Sequence, residues 1–131
     1  MKLRDQILLN HSLTDEAPIT ERPIWNELLK ETAASTGVEI FSAFYGVDSL
    51  HRLFTDDAVT HRRTRKVTLL FGRKPAPALK DQVIELTAFQ HKLMSAGYSS
   101  RNIRIALSPD GRFFHTKIYQ FTRNTRRRTF I

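Results

Sequence analysis

The sequence predicts an α/β domain, a mixed β-sheet flanked by helices, and three observations point to that class. Apolar residues at helical spacing alternate with short stretches rich in β-branched and aromatic residues. Glycine or proline punctuates most of the junctions between them. The last third of the chain holds three extended stretches in succession, and alternation followed by such a run implies a mixed sheet covered by helices. With 131 residues, 40% of them hydrophobic, the chain has material for one domain with its own core.

Residues 1–22 lack sustained periodicity and are interrupted by Pro18, so they read as an irregular N-terminal arm or a short edge strand. The domain proper is expected over 23–131. Pro23 is a helix-start residue, and Ile24, Trp25, Leu28 and Leu29 recur at helical spacing up to about Ala34, before Gly37. Residues 38–45 read as a buried strand followed by Gly46. Asp48 or Ser49 is then placed to cap a short helix carrying Leu50, Leu53 and Phe54. A basic loop around Arg62 leads into a second strand over 66–72, closed by glycine. Leu79, Val83, Leu86, Phe89 and Leu93 form the apolar stripe of a longer helix that ends at Gly97. A third strand follows over 101–107. Ser108-Pro109-Asp110-Gly111 is a hairpin signal and predicts that the next strand, over 113–121, returns antiparallel beside the third. Arg123-Asn124-Thr125-Arg126 predicts a second tight turn, with a last strand beginning at Arg127.

Composition narrows the chemistry. The chain has no cysteine, which excludes a disulfide framework, a thiolate metal site and a cysteine nucleophile. No run approaches the roughly 18 apolar residues of a membrane span, and the first residues lack the apolar centre of a signal peptide. The expectation is a cytoplasmic protein with no membrane partner. The net charge of +8 is uneven: residues 1–60 carry five basic and ten acidic side chains, while 101–131 carry eight basic ones against Asp110 alone. That distribution favours a polyanion, of which nucleic acid is the commonest, over a merely solvated basic surface. Arg73, Lys74, Arg112, Arg123, Arg126, Arg127 and Arg128 are the candidate nucleic-acid contacts, because guanidinium and ammonium groups pair with phosphate. For the three consecutive arginines the structural alternative is a charged edge strand that discourages aggregation.

The most informative stretch is Phe113-Phe114-His115-Thr116-Lys117-Ile118-Tyr119-Gln120-Phe121. On an extended strand His115 and Lys117 share a face with Phe113, Tyr119 and Phe121. A neutral imidazole can attack phosphorus while an ammonium beside it stabilises the charge that grows on the phosphoryl oxygens. The aromatic residues of that face suit base stacking, although core or interface packing is the commoner use. His11, His51, His61 and His91 show no metal-ligand spacing, and Asp56-Asp57 reads as a solvated pair, so no metal site and no cofactor are expected.

The element order ending in a strand with His-x-Lys resembles one half of a phospholipase D superfamily domain, in its restriction-endonuclease-like branch. The resemblance spans roughly residues 24–131 by element order, while the motif itself is His115 and Lys117 in their strand context. It implies that His115 is the nucleophile of a metal-independent phosphodiesterase working through a phosphohistidine, and that Lys117 binds the non-bridging oxygens. Members pair two such motifs, so one motif per chain implies a homodimer with the site at its interface and DNA as substrate. Two features depart from the family pattern. Thr122 stands where an aspartate often follows the lysine by five residues, and the sequence reaches Ile131 about where a Gly-Ser-x-Asn segment is expected. The expectation is therefore the N-terminal part of a nuclease domain, with an incomplete site. The alternative is a non-catalytic nucleic-acid-binding module of the same fold; action on phospholipid ranks last, because no amphipathic membrane-facing helix is evident.

Overall fold

Pro23 supplies the helical φ of a first turn, and the helix it opens, α1, runs Pro23–Ala34. The computed structural model describes residues 4–8, 23–108 and 117–131, with side chains from Trp25 onward. After α1 come β2 (Gly37–Ser42), α2 (Val47–Thr55), β3 (Lys66–Phe71), α3 (Ala78–Ser95), a 3₁₀ turn at Ser100–Asn102, β4 (Ile103–Leu107), β5 (Lys117–Arg123) and β6 (Arg126–Phe130). Ahead of α1, β1 (Arg4–Leu8) pairs parallel with β6 at one edge of the sheet, which is the edge-strand reading of the N-terminal segment.

The six strands are ordered β1-β6-β5-β2-β3-β4. β2, β3 and β4 are parallel and are joined by α2 and α3, while β5 runs antiparallel to both of its neighbours, β2 and β6. This is the mixed α/β architecture that the alternation implied. Val38 and Ile40 of β2, Val67, Leu69 and Phe71 of β3, and Tyr119 and Phe121 of β5 turn to one face and join Leu28, Leu53, Phe54, Phe89 and Leu93 of the helices in a single core. No described helix covers the other face, where Glu39, Thr68, Arg104 and Gln120 stand on four adjacent strands. Tyr119 and Phe121 are thus core residues.

The expected hairpin between the third and fourth predicted strands, over 101–107 and 113–121, is absent. β4 pairs with β3 alone, and β5 lies three positions away, between β6 and β2. Burial explains the arrangement. β5 has two large aromatic side chains to bury, Tyr119 and Phe121, and only a central place in the sheet covers both, whereas β4 exposes Arg104 and Ala106 and suits an edge. Pro109, Asp110 and Gly111, which carried the turn signal, lie outside the described residues. The other expected turn is present: Arg123 pairs with Arg126, and Asn124 takes the left-handed conformation at φ 52°.

Helix details differ from the sequence reading in three places. α2 starts at Val47 from an extended Gly46 with no side-chain cap, leaving Asp48 in the first turn, where its charge complements the helix dipole. In α3, Val83 is half exposed while Gln82 is buried, on the same helix face as Leu86, Phe89 and Leu93. Gln82 turns inward because its amide has two backbone partners there, donating to Gly72 O and accepting from Lys74 N, each at 2.9 Å. The basic loop, finally, is divided between solvent and interior, with Arg65 only 1% exposed.

That division has an electrostatic cause. Each helix returns the chain to the amino end of the next strand, so the carboxyl ends of α1, α2 and α3 gather at one end of the sheet with their unpaired carbonyls. Arg65 donates to Ser35 O (2.8 Å) and Ala33 O (3.2 Å) beyond and within the last turn of α1, and to the Tyr98 hydroxyl (3.4 Å). Arg62 donates to Thr55 O and Asp56 O at the end of α2 and to Ala96 O at the end of α3. Two guanidinium groups thereby satisfy the termini of all three helices and oppose their dipoles. Gly97, at φ 108°, and Tyr98 close α3 with amide bonds back to Met94 and Leu93, and the Tyr98 hydroxyl donates to Phe54 O at 2.6 Å.

Replacing Arg65 by Met leaves these buried acceptors unmatched and is expected to cost about 3 kcal/mol in urea denaturation, whereas exposed Arg63→Met is expected to cost less than about 0.5 kcal/mol. Equal effects of the two substitutions would contradict the account. Burial raises the Tyr98 hydroxyl above its ordinary value of 10.0, against the lowering effect of Arg65 and Arg62. A raised folded-state value means that the unfolded chain ionises first. Stability is then full below about pH 10 and is lost as pH rises further. Urea midpoints at pH 8 and 10.5 should fall for the wild type and fall less for Tyr98→Phe; equal falls would assign the alkaline loss elsewhere.

Candidate functional site

In a sheet built from parallel strand-helix-strand units, ligand clefts form at the carboxyl ends of the strands, where the direction of winding changes. Here that place is the end of β2, which has parallel β3 on one side and antiparallel β5 on the other. Register aligns Ser42, the last residue of β2, with Phe71 at the end of β3 and with Lys117 at the start of β5. After Ser42 the chain turns through 43–46 into α2, and the Ser42 hydroxyl donates to the Phe44 carbonyl inside that turn.

A cavity of about 230 Å³ opens between these segments. Its polar lining comes from Ser42, Ser49 and Lys117, and its apolar wall from Ile40, Phe71 and Tyr119. Gly46 and Ser49 bring the amino-terminal turn of α2 to the same cavity, so the positive end of the helix dipole and the Lys117 ammonium act in one direction. A Cβ on Gly46 would stand 3.4 Å from the Ser49 hydroxyl, at the limit of ordinary contact, so the position has room for little more than a methyl group on that side. The volume is below the roughly 300 Å³ of pockets that enclose drug-sized ligands and leaves room for a phosphoryl group. Tyr45 stacks on Phe71 with centroids 4.1 Å apart. Its hydroxyl is buried beside Gln82 without a hydrogen bond of ordinary geometry, and burial raises its pKa. Phe44, 55% exposed, stands at the rim.

The loop after β3 extends this edge. Gln82 holds Gly72 and Lys74 from α3, and the Ser108 hydroxyl accepts from Arg73 N at 3.1 Å while Ser108 N donates to Phe71 O at 2.9 Å. The backbone of Arg73 and Lys74 is therefore fixed from both sides, and their side chains are exposed at the same end of the sheet as Lys117.

The structure sorts the sequence candidates into separate groups. Lys117, Arg73 and Lys74 share the carboxyl edge. His115 and Arg112 lie outside the described residues. Arg123, Arg126 and Arg127 belong to the β5–β6 turn at the opposite end, because β5 spans the sheet from Lys117 to Arg123, about 20 Å at 3.3 Å per residue. Arg128 is half-buried, pairs with Glu27 and Glu31 of α1 and lies over the Phe130 ring at 5.3 Å, so it joins β6 to α1. Among the described residues no group of three His, Asp or Glu side chains is arranged to hold a metal ion, and no helix is long and apolar enough to cross a membrane.

Ser42 and Gln82 were not singled out from the sequence, and Gly46 and Ser49 were read there only as a strand end and a helix-cap candidate. Glycine two residues before Asp48, at the junction of a strand and a helix, was the available signal for Gly46 and Ser49; nothing local marks Gln82. Comparison with protein-family models, with curated proteins and with solved structures gave no match.

Proposed function

We propose that this chain is a phosphodiesterase domain acting on DNA without a metal ion, in the manner of restriction-type members of the phospholipase D superfamily. The observation that carries the reading is the position of Lys117. It lines a cavity with room for a phosphoryl group, beside Ser42 and the amino end of α2, at the edge where Arg73 and Lys74 also stand. In the proposed reaction a nitrogen of His115, two residues before Lys117, attacks phosphorus; the bond to the leaving oxygen breaks, and water then hydrolyses the phosphohistidine. Lys117 and the α2 amino terminus stabilise the non-bridging oxygens as their charge grows. The proton for the leaving oxygen comes from the histidine of a second copy, so the active form is a homodimer that shares its sites.

A second reading, a nucleic-acid-binding module without catalysis, is favoured by one specific observation. Arg123, Arg126 and Arg127 sit at the far end of the sheet from Lys117, where they can serve binding but not the phosphoryl group in the cavity.

Cleavage of supercoiled and single-stranded DNA in EDTA by the wild type, His115→Ala and Lys117→Met separates the readings. The phosphodiesterase reading expects chelator-resistant cleavage that is abolished in His115→Ala and reduced about 100-fold or more in Lys117→Met. If no chain cleaves and all three bind DNA with equal salt dependence, the binding module stands instead.

A further inference from the structure

At the amino end of the parallel strands, opposite the Lys117 cavity, a second cleft of about 510 Å³ is lined by Arg63, Thr64, Ser99, Arg101 and Asn102. Every lining side chain carries a hydrogen-bond donor and none is a carboxylate. The walls are tied together: Asn102 Nδ2 donates to Arg63 O at 3.1 Å, Asn102 N donates to Ser99 O at 2.9 Å, and Thr64 N donates to His61 O at 3.2 Å. Arg62 and Arg65, from the same basic run, are occupied with helix termini. Arg63 and Arg101 are both exposed, and no carboxylate of the described residues is within ion-pair distance of either.

Two exposed guanidinium groups lining one cleft without an acidic partner make a positive site that an anion would neutralise. The charge also continues beyond the cleft. Lys66 and Arg104, both exposed, stand on the helix-free face of β3 and β4, where Thr68 is paired with Arg104. Glu39 is the sole carboxylate of that face on β2, β3, β4 and the described part of β5. A compact anion would meet only Arg63 and Arg101, whereas a linear polyanion meets all four cations.

We infer that the Arg63–Arg101 cleft is a phosphate-binding site for a nucleic-acid backbone, separate from the Lys117 cavity. Five residues of β2, from Gly37 beside Lys66 to Ser42 beside Lys117, separate the two levels, about 17 Å along the strand. At about 3.4 Å per nucleotide along one strand, that component alone corresponds to about five nucleotides, a lower bound on the spacing between the cleft and a phosphoryl group in the cavity. The inference shares with the proposed function its polyanionic partner and requires nothing of His115.

The test is binding of a fluorescent 20-base-pair duplex in EDTA, followed by anisotropy as a function of salt. The proteins are the full chain, Arg63→Gln/Arg101→Gln, and Lys80→Gln/Lys92→Gln, which removes equal charge from the exposed surface of α3. Both substitutions in the cleft are at exposed side chains, and an unchanged Tm verifies that the fold is kept. Loss of two phosphate contacts should reduce the slope of log K against log salt by about 1.8 in the cleft variant and leave the control near wild type. The same loss in the absence of any nuclease activity would support the cleft and remove only the catalytic reading. An unchanged slope, an equal fall in the control, absence of duplex binding by the wild type, or cleft-dependent binding to phosphatidylserine vesicles in place of duplex would overturn the proposal.

Discussion

The carboxyl ends of three helices meet at one end of this sheet, and the fold depends on the two arginines that receive them. Parallel strands joined by helices leave no other arrangement: each helix must return the chain to the amino end of the next strand, so its negative end arrives there. Arg65 serves α1 from a fully buried position, and Arg62 serves α2 and α3. No carboxylate takes part in these contacts. The charge of each guanidinium is matched by backbone carbonyls, which is how a buried cation is tolerated without an ion pair.

The same constraint polarises the domain. With the negative helix ends consumed by arginine at one end, the positive end of α2 is left at the other, beside the carboxyl end of β2. The antiparallel entry of β5 next to β2 then sets Lys117 level with Ser42. Had β5 paired with β4, as the turn signal suggested, Lys117 would have stood at the sheet's outer edge, away from α2. The central position of β5, required by the burial of Tyr119 and Phe121, is what brings a cation to the cavity.

Locally determined features were legible in the sequence. Proline at the start of α1, glycine after α3 and asparagine in the β5–β6 turn each act within a few residues, and each stands where the pattern placed it. Pairing partners were not legible, because the order of strands is decided by which faces must be buried most deeply, a comparison across the whole chain. The division of labour among the basic residues was hidden for the same reason. Nothing in Arg62-Arg63-Thr64-Arg65 distinguishes a solvated arginine from one that closes a helix; the distinction comes from where the helices end. Gln82 was masked by the apolar stripe around it, since its role is to hold a loop that follows a different strand. At the candidate site, Lys117 was visible through its spacing from His115, while Ser42, Gly46 and Ser49 became visible only once β2 and β5 were neighbours.

The most direct test of the central claim, that the cavity where the carboxyl end of β2 meets the amino end of β5 receives a phosphoryl group, is a titration of the isotopically labelled protein with inorganic phosphate, followed by amide chemical shifts. The account expects saturable shifts at Ser42, Gly46, Ser49 and Lys117, reduced at all four in Lys117→Met. Shifts confined to the Arg123–Arg126 turn and the Arg63 cleft, with the β2–α2 junction unmoved, would contradict it.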